Sequence, residues 1–169
     1  DLDVLATSKA GGYVIGSISV KARLPNTEGG FWKSKDGSYA LNSFGMPNMG
    51  LPYFKKHLPL IARMAHAHHQ PLIANIVGFS NTEFLRLVQL AEESGADLVE
   101  LNFGCPNVWE SGKQEKILSY HADLIEKILS ALRMQKPHIP IGVKLAPLPP
   151  HTLRDIVQVI VESDIVSFV

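Results

Sequence analysis

Apolar positions along this chain follow two alternating rhythms. Short runs rich in β-branched and aliphatic residues have the length of buried strands: "GYVIGSISV" (12–20), "PLIANIVG" (71–78), "DLVELNF" (97–103), "IPIGVKLAP" (139–147) and "DIVSFV" (164–169). Between them the apolar positions recur with helical spacing. Phe54, Leu58, Ile61 and Met64 form one stripe over 51–67, and Phe84, Leu87, Val88 and Ala91 another over 80–96. Leu118, Ile125, Ile128, Leu129 and Leu132 mark a third helix over 117–134, and 150–163 reads as a fourth. Ser80 and Glu83 have capping-box spacing, Gly95 ends the same helix, and Pro150 suits a helix start. Pro59, inside the first helical stretch, predicts a kink or a break. Residues 21–50, rich in Gly, Pro, Asn and Ser, show no element, and a loop that long in a compact domain is usually functional.

The order is therefore β, a long loop, α, β, α, β, α, β, α, β. Apolar strands alternating with amphipathic helices predict a parallel sheet covered by helices. A doubly wound sheet or a (β/α)8 TIM barrel would satisfy that order. No G-x-G-x-x-G turn and no phosphate loop follows the first strand. The distinctive polar residues sit in or just after strands, as active-site residues do at the C-terminal face of a barrel. Five strands make roughly half of such a barrel. Either the sheet is open, or residues 1–169 are one partial barrel domain, roughly half of a larger protein.

Composition narrows the partners. At 46% apolar and 19% charged, the sequence is that of a globular domain, and its 16 basic and 16 acidic residues cancel. No electrostatic case exists for nucleic acid or an anionic membrane surface. No apolar run approaches the roughly 20 residues of a membrane span. The opening lacks a signal peptide's basic start and apolar core, and it also lacks an initiator Met, so the protein is expected to begin upstream. Cys105 is the single cysteine, which excludes an internal disulfide and fits a reducing compartment.

Several residues could carry chemistry. Cys105 stands at the mouth of a strand between Asn102 and Asn107, where it is either a small packed hydrophobe or a proton-handling group. Lys144 lies in a strand otherwise made of Ile, Val and Leu; it either points outward at the strand end or holds an electron-rich ring or an anion. Asn42, Asn75, Asn102 and Asn107, each explicable as a turn residue, together offer donors and acceptors suited to amide and imide edges. The cluster "HAHHQ" (66–70) reads as a helix C-terminus rather than a metal site, since no carboxylate or cysteine accompanies it in sequence. Trp32 and Trp109 read as loop residues.

At this point a resemblance becomes visible. "ELNFGCPNV" (100–108) resembles the E-L-N-x-S-C-P-N-V segment of class 1 dihydroorotate dehydrogenases, "LNSFGMPNMG" (41–50) their I-N-S-M-G-L-P-N-x-G loop, and "GVKLAP" (142–147) their G-V-K-L-P-P strand. "NIVGFSNTEF" (75–84) resembles a fourth stretch, in the same order. The resemblance implies an FMN-dependent (β/α)8 barrel that oxidises dihydroorotate to orotate in pyrimidine biosynthesis, a cytoplasmic enzyme and a homodimer, with residues 1–169 a partial flavin-dependent barrel domain that lacks the first strand and the C-terminal strands. It implies Cys105 as catalytic base; Asn42, Gly45, Met46, Asn102 and Asn107 as substrate contacts; and Lys144, Asn75 and Asn102 as cofactor contacts. Three departures stand out. Gly16 occupies the position of a family lysine, "ARLPNTEGGFWKSKDG" replaces an R-E-G-N-P-x-P-R stretch with Arg23 as its clear match, and Gly104 replaces a serine. These leave room for a dehydrogenase of another dihydropyrimidine, and the partial length leaves room for a non-catalytic barrel fragment.

Overall fold

The structure is a computed structural model that describes residues 8–26, 30–110 and 113–169. The start of the chain and a part of the long loop expected over 21–50 lie outside those residues. Five strands form one parallel sheet: β1 (Tyr13–Ile18), β4 (Leu72–Ile76), β5 (Leu98–Asn102), β8 (Ile141–Lys144) and β9 (Val166–Phe168). Four helices connect them: α1 (Gly50–Ala67), α2 (Asn81–Glu93), α3 (Ala122–Gln135) and α4 (Pro150–Ser163). A 3₁₀ turn, Leu118–Tyr120, precedes α3, so the helix expected from residue 117 starts in two pieces.

Strand order decides between the two candidate architectures. The spatial order β1-β4-β5-β8-β9 is the sequence order, with every pair parallel. Crossovers between parallel strands are nearly always right-handed. When each crossover steps to the next strand in the same direction, every helix falls on one face. Consecutive helices accordingly pack on one another, α1 on α2, α2 on α3 and α3 on α4. A doubly wound sheet needs a reversal of strand order, and none occurs among the described strands. This is the barrel arrangement, and the chain covers part of it.

The helix-facing side of the sheet carries two matched apolar rows. Ile15, Ala74, Val99, Ile141 and Val166 share one, and Ile18, Ile76, Leu101 and Val143 the other. Against them lie Leu58 and Ala62 of α1, Leu87, Val88 and Ala91 of α2, Ile125, Leu129 and Leu132 of α3, and Ile156 and Ile160 of α4, all buried. The opposite face is different: Val14 is 58% exposed, and the residues alternating with the apolar rows on the middle strands include Asn75, Glu100, Asn102 and Lys144.

Five expectations need correction. The chain over 21–50 holds an antiparallel hairpin, β2 (Phe31–Lys33) with β3 (Ala40–Asn42), so Trp32 and Asn42 are strand residues. Asp36-Gly37, with Gly37 at φ +72°, makes its turn, and that dipeptide between two apolar runs was the readable signal. Trp109 belongs to a short strand, β6 (Trp109–Glu110), paired with β7 (Lys113–Gln114). Pro59 does not break α1, because Phe54 and Leu58 before it and Ala62 and Ala65 after it are seated in the same core. The buried stripe turns slightly from that expected, leaving Met64 at its edge.

Finally, His66 has a carboxylate partner after all: its Nε2 lies 2.8 Å from Oδ2 of Asp97, a residue too far along the chain to be seen beside it in sequence. Partial burial pushes the Asp97 carboxyl up, but the Leu72 N–H at 2.8 Å and the His66 ring outweigh it and hold the group below its ordinary 3.8.

Two predictions follow from this packing. Leu101→Ala, at the centre of β5, should lower the denaturant midpoint by the equivalent of about 3 kcal/mol with an unchanged m-value. A carboxyl depressed on folding stabilises above its unfolded pKa and loses that contribution as pH falls through the folded value. Acid unfolding monitored below about pH 4 should therefore be less steep in Asp97→Asn than in the wild type, with no change in slope near neutrality.

Candidate active site

The alternation that sends Val99 and Leu101 toward the helices sends Glu100 and Asn102 to the other face of β5. Across the strand pairs, Asn75 lies opposite Glu100, and Asn102 opposite Lys144. The sheet thus presents two amides, a carboxylate and an ammonium at the C-terminal ends of three neighbouring strands. They are bonded to one another. Lys144 Nζ donates to Asn102 Oδ1 at 2.8 Å, and Asn102 Nδ2 donates to Ser17 Oγ of β1 at 2.9 Å. Ser17 Oγ donates to Asn75 Oδ1, and Asn75 Nδ2 donates to Glu100 Oε1. Asn75 and Asn102 are buried while Lys144 is exposed, so the row opens at its cationic end.

The loop after β5 carries the thiol. Asn102 Oδ1 also accepts from Gly104 N at 3.2 Å, tying the first turn of that loop to the amide row. Gly104 is pressed against the loop after β8; a Cβ there would lie 2.6 Å from Ala146 N and 2.7 Å from the Leu145 carbonyl carbon. Glycine in place of serine is therefore what this close backbone approach requires. Ser119 clamps the same junction, donating from Oγ to Phe103 O at 2.9 Å and accepting from Ala146 N at 3.0 Å. Cys105 is half-buried in the wall of a cavity of about 290 Å³, which it shares with Asn102, Phe79, Ser80, Val108 and Leu118. The thiol is accessible from a concave space rather than sealed in packing.

The segment between β3 and α1 closes over the strand ends. Met46, at φ +57°, brings its Sδ within 3.4 Å of Asn102 Nδ2. Gly45, at φ +77°, has its carbonyl on Arg23 Nε at 3.3 Å, and a Cβ there would meet the Asn26 side chain at 2.6 Å. Asn107 Nδ2 donates to Asn42 O at 3.0 Å, so of these two residues one contributes its amide and the other its backbone carbonyl to the joint. Hydrogen bonds thus join Lys144, Asn102, Asn75 and Met46 in one row and Asn107 to the Asn42 backbone, while Gly45 adjoins Met46 and Cys105 follows Gly104 in the loop rooted on Asn102.

Sequence reasoning missed the residues that hold this neighbourhood together. Asn26 Nδ2 reaches Ser43 O at 2.8 Å and Asn107 O at 3.0 Å, partners 17 and 81 positions along the chain from it, and so joins two loops. Asn48 accepts from Gly50 N at 2.9 Å and donates to Ser19 Oγ at 2.8 Å and Met46 O at 3.0 Å. The Arg23 guanidinium lies 5.1 Å from the centroid of Phe79 and donates to Trp109 O at 3.0 Å. Ser17 and Glu100 complete the amide row. Asn48 and Glu100 sat inside quoted motifs, but nothing in one sequence says which face a strand residue meets.

The family model for dihydroorotate dehydrogenase matches residues 1–169. This chain belongs to the dihydroorotate dehydrogenase family. It is 32% identical over 148 residues to dihydroorotate dehydrogenase A (fumarate) of Lactococcus lactis subsp. cremoris strain MG1363, covering 87% of this chain and 45% of that protein. It is 34% identical over 155 residues to dihydroorotate dehydrogenase (fumarate) of Saccharomyces cerevisiae, covering 87% and 45%. Among solved structures, the ligand-free DHODH of Eimeria tenella superposes with a TM-score of 0.76 at 21% identity, over 92% of this chain and 50% of that one. The chain spans about half the length of the curated relatives it matches. Within the dihydroorotate dehydrogenase family, the thiol loop and the amide row described above fall in the portion that this chain supplies.

Removing the Asn26 side chain should loosen both loops it joins. In Asn26→Ala, amide hydrogen exchange should quicken over 43–48 and 105–108 while β4 and β5 keep wild-type protection.

Proposed function

We propose that the full-length protein oxidises dihydroorotate to orotate, with FMN as its resident cofactor. The observation that carries this reading is the contact of Lys144 Nζ with Asn102 Oδ1 beside the accessible Cys105 thiol. An ammonium, a carboxamide and a soft base at adjacent strand ends suit a reaction that removes a proton and a hydride from neighbouring carbons of a cyclic amide. The donor set fits a flavin: Lys144, Asn75 and Asn102 would hold the ring system, offering a cation and amides to its carbonyl and imide edges. When bound, the flavin supplies the acceptor for the C6 hydride.

The chain's own residues do the rest. Cys105, as its thiolate, takes the C5 proton onto Sγ as general base and becomes the neutral thiol. Asn102 and Asn107 read the ring amides, and the turn at Gly45 and Met46 with Asn42 forms the wall that receives the carboxylate. Lys144 would stabilise negative charge on a flavin ring held there.

A second reading, another dihydropyrimidine as substrate, is favoured by Gly16. A Cβ at this position, φ +145°, would lie 2.2 Å from Asn75 O, so this backbone has no room for the lysine of the resembling enzymes. Relatives bearing the fumarate name suggest a cytoplasmic enzyme, and a homodimer accords with the resemblance; among the described residues no helix is long and apolar enough to cross a membrane.

Anaerobic titration decides between the substrates. The holoprotein's flavin should bleach with dihydroorotate; bleaching only with other dihydropyrimidines would move the assignment to the second reading, and a colourless full-length protein would defeat both. In the holoprotein, Cys105→Ser should slow flavin reduction by about 100-fold or more while orotate still binds. Lost binding with an unchanged reduction rate would refute the base assignment.

A further inference from the structure

We propose that Glu100, Asn75 and Ser17 are positioning residues that fix which way the Asn102 carboxamide faces; the ligand-binding part of this rests on the dihydroorotate reading above. The chain of bonds has a direction. Lys144 can only donate and a carboxylate at Glu100 can only accept. Between them, Lys144 donates to Asn102, Asn102 to Ser17, Ser17 to Asn75, and Asn75 to Glu100. Every amide and hydroxyl in the series uses one acceptor toward the lysine and one donor toward the glutamate. Reversing any amide would set donor against donor or acceptor against acceptor along the line. Two opposite charges on neighbouring strands, β8 and β5, thus dictate the orientation of two buried amides.

The consequence lies at Asn102. With its oxygen held by Lys144 and Gly104 N, its nitrogen keeps one N–H for Ser17 and points the other at Met46 Sδ, 3.4 Å away. A thioether is a weak acceptor. Of the bonds in the row this one has the weakest acceptor, which a ligand carbonyl oxygen would outcompete. If Asn102 were flipped, an oxygen would face the ligand carbonyl and the Gly104 tether of the thiol loop would be lost together. Glu100 has no contact with the thiol loop in this series; it acts through Asn75 and Ser17.

The test uses three variants of the full-length holoprotein. Glu100→Leu removes the acceptor that ends the series, Glu100→Gln keeps one for Asn75, and Ser17→Ala removes the middle link. Orotate affinity, read from perturbation of the flavin spectrum, should fall about tenfold in Glu100→Leu and in Ser17→Ala and stay within about threefold of wild type in Glu100→Gln. Exchange of the Gly104 amide, measured without ligand, should follow the same order. Should Glu100→Leu not fold, Ser17→Ala set against Glu100→Gln makes the same comparison. Wild-type affinity in Glu100→Leu or Ser17→Ala, or a Glu100→Gln variant as weak as either, would overturn the proposal. A wild-type flavin spectrum indifferent to orotate would instead overturn the dihydroorotate reading and the ligand-binding part with it, while the Gly104 exchange order would still confirm or refute the relay.

Discussion

The structure depends on one constraint: parallel strands laid down in sequence order, each crossover turning the same way, leave the sheet with one face for the helices and one without them. Strand residues alternate between those faces. The apolar rows through Val99 and Leu101 bind the helices, and the residues between them are released from that duty. Asn75, Glu100, Asn102 and Lys144 occupy the released positions. The same two-residue period that builds the core therefore builds the polar row, and neither can shift register without destroying the other.

Burying amides on such a face is costly unless each donor and acceptor is met. Here they are met by one another and by Ser17. Among the described residues no buried side-chain nitrogen or oxygen lacks a partner. The loops complete the arrangement by the same means. Asn26 and Ser119 bond to backbone groups of segments distant in sequence and Asn48 to the nearby Met46 carbonyl, so side chain to main chain bonds add to the packing of Phe103 and Val108 in positioning the thiol loop and the turn at Gly45. Glycine at 104 belongs to the same economy of space, since the loops after β5 and β8 approach too closely there for a side chain.

A division of labour results. The helix-covered side supplies rigidity, and the strand ends supply chemistry supported from the sheet. The Cys105 loop is attached to the sheet at Gly104 and to the neighbouring loop through Asn107, with a cavity on its accessible side. The amides of the row have their direction settled within the sheet itself, by Lys144 at one end and Glu100 at the other.

The sequence by itself determined the five strands of the main sheet, the four helices and their order, and it pointed to the residues of the candidate site. Hydrophobic periodicity is a local property, and the quoted motifs around Cys105, Asn42 and Lys144 are contiguous in the chain. It also contained, unread, the Asp36-Gly37 turn that makes a hairpin of the long loop. Only the tertiary structure decided that Pro59 sits within an unbroken helix, that Asp97 meets His66, and that Ser17, Glu100, Asn26 and Asn48 join the site. Each of those outcomes is a pairing between residues whose separation in the chain says nothing of their separation in space. A strand's pattern shows which residues alternate; what waits on the other side of the gap is set by register and by loops closing from elsewhere.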